Sequence, residues 1–416
     1  MSGGVTRQPT RVFQVVWSFE RFGGLERHLV ELSLALARHG TEVLVFTEIA
    51  ADPDNAYIRR LRAAGITVSG AGGAAALTDR LGRLPLGPLR GLLSQTWRLL
   101  RAAAPEAREV HPVTVALFAR LDAAVTAGRP DAVHVHGTQL RQSWVVRWAA
   151  ARGLPVMYTE QVTIDEWGGP TEPTAITTMI ADAGTIACVS ERARQSLVTA
   201  LQGARAVAVV CQPVPGGDAA QPIRLDGPLR LLCVARLEHY KGIDVLLHAA
   251  AAARAAGVAF TLSLAGDGSE RRKLEALARA LGLADVVFLG AVPPEAIATA
   301  LGGADLMVLP SRGEGLPVSV VEAMANGRPV LATRAGGTAE VVQDGVTGVM
   351  VDPERPDQLA AALVQIAADR PALQRMGEAA RTAWANGGWA PDAVMRHVVD
   401  LYHSAADHAR STAAAP

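Results

Sequence analysis

Two glutamates, Glu314 and Glu322, are separated by seven residues in the stretch Pro310-Ser-Arg-Gly-Glu-Gly-Leu-Pro-Val-Ser-Val-Val-Glu-Ala-Met-Ala-Asn-Gly327. The apolar run Leu306 to Leu309 precedes them as a strand. Pro317 suits the first turn of a helix, and Asn326-Gly327 closes that helix before Pro329 opens the next strand. Glu314 is therefore expected in a loop, and Glu322 in the helix on the face it shares with Val318. Free N–H groups of a first helical turn attract phosphate, and flanking carboxylates accept charge-assisted hydrogen bonds from vicinal hydroxyls. The combination suits a sugar nucleotide.

A pyrophosphate leaving group bound without metal needs cationic side chains. Arg236 and Lys241 stand in Ala235-Arg-Leu-Glu-His-Tyr-Lys-Gly-Ile243, a loop leaving a strand at the carboxyl end where open α/β sheets bind ligands. Of forty basic residues only Lys241 and Lys273 are lysine, so a compact ammonium at 241 carries weight. Preorganised cations stabilise charge that grows as a glycosidic bond breaks. The plainer alternative is a surface salt bridge to Glu238 or Asp244. Gly23-Gly24, in the first strand-to-helix turn, would admit a phosphate or sugar close to the backbone, although a tight turn explains the pair equally well. Gly266-Asp267-Gly268 reads as a turn in which Asp267 bonds local amides. His134 and His136 flank Val135 at a strand end and are expected on opposite faces, which denies them a shared metal, with His136 exposed in a cleft.

The Glu-x7-Glu arrangement, between Pro310-Ser311 and Ala323-Met-Ala-Asn-Gly-Arg-Pro-Val330, closely resembles the donor site of the retaining family-4 glycosyltransferases, and the match runs from Arg236 to Pro353. The resemblance implies the GT-B architecture: α/β, two facing Rossmann-like doubly wound parallel-sheet domains, an interdomain cleft, and a C-terminal helix crossing back to the first domain. It assigns the transferred sugar to Glu314, the ribose to Glu322, and the donor phosphates to Arg236 and Lys241. Further donor contacts are implied at Gly23, Gly24, Gly290, Gly315, Leu316 and Val318. The implied chemistry needs no cofactor and no metal beyond the nucleoside-diphosphate sugar itself, with UDP favoured and GDP next. Two departures stand out. Tyr158-Thr-Glu-Gln161 replaces a Thr-Glu-His pattern whose histidine contacts the sugar, leaving Gln161 and His136 as candidate sugar or acceptor contacts. Pro215-Gly-Gly-Asp218 replaces Asn-Gly-x-Asp.

Around these positions, strand-length apolar runs alternate with amphipathic helices. The expected strands lie near Val12–Val16, Val43–Phe46, Ala132–Val135, Val156–Tyr158, Ile186–Val189 and Ala206–Val210. A second set follows near Leu229–Val234, Thr261–Ala265, Val286–Leu289, Leu306–Leu309, Val330–Ala332 and Val349–Val351. The turn-rich linker at 213–228 separates an acceptor-side domain, 1–212, from a donor domain, 229–390. A final helix at 391–409 is expected to pack on the first domain. The chain has 416 residues, enough for two domains. Forty basic and forty acidic residues argue against a nucleic-acid protein. Cys188, Cys211 and Cys233 show no ligand spacing and suit reduced thiols in a cytoplasmic protein. The arginine-leucine alternation from Leu86 to Leu100 could touch a membrane surface, but packing on the sheet is the better use.

The expected partners are a nucleotide sugar and an acceptor glycan, glycolipid precursor or small natural product. Rival readings are an epimerase or phosphorylase on the same architecture, a degenerate sugar-binding member, and a nicotinamide-dependent dehydrogenase. Glu48, at the end of the second strand, mimics the ribose-binding acid of a dehydrogenase. The first turn, however, lacks Gly-x-Gly-x-x-Gly.

Overall fold

The computed structural model describes residues 9–17, 19, 24–48, 52–70, 112–138, 142–163, 176–177, 180–217 and 222–413. Its first sheet contains β1 (Arg11–Val16), β2 (Glu42–Thr47), β3 (Thr67–Gly70), β4 (Ala132–Gly137), β5 (Val156–Glu160), β6 (Thr185–Cys188) and β7 (Ala208–Val209), in the order β3-β2-β1-β4-β5-β6-β7. Helices α1 (Gly24–Arg38), α2 (Ala56–Ala63), α3 (Pro112–Ala127), α4 (Ser143–Ala150) and α5 (Glu191–Ala200) connect the strands. The second sheet is ordered β10-β9-β8-β11-β12-β13, from β8 (Leu229–Val234), β9 (Phe260–Ala265), β10 (Val286–Gly290), β11 (Leu306–Leu309), β12 (Val330–Thr333) and β13 (Gly348–Val351). Its helices are α6 (Ile243–Ala255), α7 (Arg271–Ala280), α8 (Pro294–Gly303), α9 (Val318–Ala325) and the four-residue α10 (Thr338–Val341). Three helices close the chain: α11 (Pro356–Ala368), α12 (Arg370–Asn386) and α13 (Pro391–Ala413).

Parallel strands covered on both faces must be apolar on both, and β8 illustrates how one strand serves two cores. Leu229, Leu231 and Cys233 pack with Leu262, Leu264, Leu246 and Leu363, whereas Leu232 joins Met307, Leu309, Val320 and Met324 on the opposite face. Each such leucine contributes about 1.5–3 kcal/mol on burial. At the amino end of this layer Asp305 accepts from the Arg224 and Arg230 amides and from the Arg230 guanidinium. Burial works against the Asp305 charge, but these bonds outweigh it and hold the carboxyl below its usual range.

By contact density the chain divides into two compact units, residues 1–159, 178–185 and 399–416, and residues 160–177 and 186–398. Within the first unit, the α13 residue Tyr402 accepts a hydrogen bond from Gln14 Nε2 at 3.2 Å, and its hydroxyl lies 2.9 Å from His134 Nδ1. The C-terminal helix thus returns to the first sheet, as the resemblance implied. No described helix is long and apolar enough to cross a membrane.

All twelve expected strands are present. The edge strand β3 was not among them, because Thr67-Val-Ser-Gly70 is only four residues long and its β-branched pair, Thr67-Val68, is followed at once by two small residues. Pro317 occupies the N-cap of α9 rather than its first turn. Leu86–Leu100 falls outside the described residues.

Candidate active site

In the second sheet β8 lies between β9 and β11, so the strand order reverses beside it and opens a crevice at the carboxyl ends. The loops after β8 and β11 meet there. Gly242, at φ 63°, comes so close to the second loop that a Cβ would lie 2.1 Å from the Pro310 carbonyl oxygen. The Arg312 amide donates to the Tyr240 carbonyl at 2.8 Å. The Arg312 guanidinium donates to Asp244 Oδ1 and Oδ2, to Glu354, and to the His239 carbonyl. Burial alone would raise the Asp244 carboxyl, but its bonds from Arg312 bring it below the usual value.

Two more loops complete the frame. Gly266, after β9, would carry a Cβ 1.9 Å from the Ala235 carbonyl oxygen, and its amide donates to the Gly290 carbonyl at 2.8 Å. Gly290 itself, at φ 73°, ends β10. Asp267 accepts from the Gly268 amide, as the turn reading required. After β12, Gly336 at φ 51° presses on the Glu314 peptide, where an added Cβ would sit 1.7 Å from its carbonyl oxygen. The same oxygen accepts from the Gly337 amide at 3.2 Å.

Inside this frame Lys241 Nζ donates to Glu314 Oε1 at 2.6 Å, their side chains only 15% and 6% exposed. Ser311 Oγ donates to the same oxygen at 2.6 Å. The salt-bridge alternative for Lys241 therefore named the wrong partner: Asp244 belongs to Arg312, and Glu238 accepts from the Ser269 amide and hydroxyl. The Arg236 guanidinium donates to the Tyr240 hydroxyl and lies 5.5 Å from the ring centroid, and Lys241 Nζ lies 5.1 Å from that centroid. Tyr240 thus holds both cations on one aromatic ring. Beneath them burial pushes the Cys233 thiol up to about 12, keeping it protonated. Glu322 is buried in the second turn of α9, one turn beyond Val318. Gly315 and Leu316 continue the loop from Glu314 to α9, and a Cβ on Gly315 would lie 3.5 Å from the Gln161 carbonyl oxygen.

The Gln161 side-chain carbonyl accepts from Gln212 Nε2 at 3.0 Å, and the Gln161 backbone N–H donates to Glu160 Oε1. Expectation fails for the histidines. Residues two apart on a strand share a face, and the His134 and His136 rings stack with centroids 3.9 Å apart. Neither is exposed. His134 lies 2.8 Å from Thr159 Oγ1, and His136 Nε2 lies 2.5 Å from Gln14 Oε1. Burial, reinforced for both by nearby His28, pushes both well below the usual histidine value, so they stay neutral. Gly24 opens α1 and Gly23 lies outside the described residues, as does Asp218. Ser311, Tyr240 and the Gly336-Gly337 pair escaped the sequence reading, although the double glycine after a short strand was a readable signal.

Two family models cover most of the chain: Glycosyltransferase Family 4 matches residues 22–215 and Glycosyl transferases group 1 matches residues 219–383. A D-inositol 3-phosphate glycosyltransferase of Geodermatophilus obscurus is 30% identical over 388 residues, covering 84% of this chain and 79% of the relative. The chain belongs to the family-4 glycosyltransferases. Another protein of the same description, from Corynebacterium kroppenstedtii, is 35% identical over 210 residues, 47% of this chain and 46% of its own length. Several curated relatives are likewise matched over half their length or less. Among solved structures, an Anabaena protein, HepE, in complex with UDP and glucose, has a TM-score of 0.70 at 19% identity and covers 94% of this chain and 99% of that one. That likeness places this family-4 member in the GT-B fold.

Proposed function

We propose that the protein is a retaining, metal-independent glycosyltransferase that moves a sugar from a nucleoside diphosphate, UDP before GDP, to an acceptor hydroxyl. The observation that carries this reading is the buried Lys241–Glu314 pair at the strand-order reversal, beside Arg236 and in the loop that leads into the helix of Glu322. In this reading Lys241 and Arg236 bind the diphosphate, and their charge offsets the negative charge that develops as the sugar–oxygen bond breaks. Glu322 accepts from the ribose hydroxyls. Glu314 orients the sugar and forms no covalent bond to it. The acceptor approaches the face that the diphosphate leaves, and a phosphate oxygen takes the acceptor proton.

Residues 229–390 would form the donor side and 1–212 the acceptor side, with Gln161 reaching the sugar through the Gly315 segment. The UDP-bound Anabaena structure supports a uridine donor, and the inositol-phosphate relatives support a polyol acceptor. The protein would act in the cytoplasm. The test is a thermal-shift screen of UDP-, GDP- and ADP-sugars, followed by mass spectrometry of products from acceptor mixtures with and without EDTA. Stabilisation by one nucleotide class and an EDTA-resistant glycosylated product with retained anomeric configuration are expected. Turnover abolished by EDTA and restored by Mg²⁺ would overturn the cationic phosphate site.

A further inference from the structure

Glu340 lies on α10, three residues beyond the Gly337 amide that meets the Glu314 carbonyl. Its carboxylate accepts two backbone hydrogen bonds at the start of α5: Glu191 N–H to Oε2 and Arg192 N–H to Oε1, both 2.8 Å. Ser190 Oγ accepts from the next amide, Ala193, at 3.1 Å. Three amides that an isolated helix would leave open are therefore filled, two of them by a residue about 150 positions away in sequence. A carboxylate there also meets the positive end of the helix dipole.

The other end of α10 begins at the turn that supports Glu314. Gly337 is its N-cap, the Glu340 amide donates to the Gly337 carbonyl at 3.1 Å, and the Gly337 amide donates to the Glu314 carbonyl. Gly336 leaves no space for a Cβ beside that carbonyl, so a shift of the turn is a shift of the Glu314 peptide. Thr338 and Val341 are buried, Val341 in the same core as Val320 and Met350, and tie the short helix to that core.

We propose that Glu340 is a positioning residue, whose capture by the first-turn amides of α5 holds the Gly336-Gly337 turn and through it the catalytic orientation of Glu314. The inference rests on the sugar-orienting role given to Glu314, but part of its test needs no sugar donor. Hydrogen exchange of Glu340→Ala should show faster exchange at the Glu191 and Arg192 amides and also at Gly337. Turnover of whichever of UDP-glucose, GDP-mannose or ADP-glucose stabilises the wild type most should fall about five- to tenfold, the scale of losing a helix-end partner. Affinity for the bare diphosphate should stay within twofold, and formate should restore turnover by refilling the amides.

A second variant removes one donor while keeping the helix. Glu191 is the first residue of α5 and Ser190 is extended, so Glu191→Pro is compatible with both positions; it deletes the N–H that meets Oε2 together with the carboxylate that pairs with Arg194 and Gln195, and Glu191→Ala, which removes that carboxylate alone, is its reference. Relative to that reference Glu191→Pro should slow turnover two- to threefold alone and have no effect in the Glu340→Ala background. Unchanged exchange at Gly337 would reduce Glu340 to a cap for α5 and overturn the proposal. Equal slowing by Glu191→Pro in both backgrounds would do the same. If the donor screen finds no nucleotide, the donor reading falls while the exchange result still decides the anchor.

Discussion

Replacing Glu314 by glutamine should make the protein bind a bare nucleoside diphosphate more tightly while destroying its turnover. Lys241 is held by Glu314 at 2.6 Å, with little of either side chain exposed. A diphosphate must therefore compete with a carboxylate for the same ammonium. A hydrogen bond to a charged group contributes about 1.5–3 kcal/mol, against about 0.5–1.5 kcal/mol for a neutral one. Glutamine keeps a carbonyl for Lys241 and for the Ser311 hydroxyl, so the competitor weakens by roughly 1–1.5 kcal/mol. That converts to about five- to tenfold tighter binding.

Calorimetry with UDP and GDP on both proteins measures the effect, and Lys241→Ala supplies the control. In that background the glutamine substitution should leave diphosphate affinity unchanged, since no ammonium remains to be freed. Turnover of Glu314→Gln should fall by about 10²-fold or more, as expected for an interaction that matters in the transition state. Weaker diphosphate binding by Glu314→Gln would refute the exchange of partners, because it would mean that Glu314 assists the phosphates and does not compete with them.

Other substitutions separate the remaining roles. Lys241→Ala should slow turnover about 10²-fold, and steady-state rates showing less than a twofold change would make the lysine structural. Glu322→Gln should weaken bare diphosphate and sugar nucleotide alike, whereas loss confined to the sugar nucleotide in calorimetry would move Glu322 to the sugar. Acid should destabilise the first unit. His134 and His136 are depressed below 6.5 in the fold, so the unfolded chain binds more protons there, and stability is full above pH 6.5 and declines below it. Scanning calorimetry from pH 7.5 to 5 should show the decline, and a flatter profile in His136→Gln. Glu48 has the opposite sign: burial raises it to about 8 from a usual 4.5, so its contribution is full below pH 4.5 and lost as pH rises through 8. Glu48→Gln should raise the melting temperature by roughly 3–8 °C at pH 8 and much less at pH 5.

The donor half was legible because its constraints are local in sequence. Glu314, Pro317, Glu322 and Asn326-Gly327 define a loop and a helix within eighteen residues, and β11 and β12 on either side are short apolar runs. Arg236 and Lys241 could be found for the same reason. Their pairings could not. That Lys241 meets Glu314, and Asp244 meets Arg312, depends on β8 and β11 being neighbours, which is a property of strand order and not of spacing. Ser311 lay in plain view in the motif, but its bond to Glu314 needs the loop's backbone path. Glu340 was invisible for the same reason, since α5 and α10 are joined only in space.

The first sheet shows what a misread periodicity costs. Placing His134 and His136 on opposite faces made His136 look accessible and left it as a candidate sugar contact, yet both histidines face inward together and stack in a fully buried layer with Gln14, Thr159 and Tyr402. A polar layer of this kind holds a C-terminal helix in register, because each misplaced partner leaves a buried donor or acceptor unsatisfied at about 1–3 kcal/mol. Among the described residues its two imidazoles meet hydroxyls and an amide oxygen and no carboxylate, so the layer stabilises only while they are neutral. The two candidate sugar contacts of the sequence, Gln161 and His136, therefore part ways in the structure. His136 belongs to the helix anchor. Gln161 remains beside the Gly315 segment, and Gln161→Ala should alter the ranking of donor sugars without changing diphosphate affinity. A ranking and a rate both indifferent to that change would remove Gln161 from the sugar site as well.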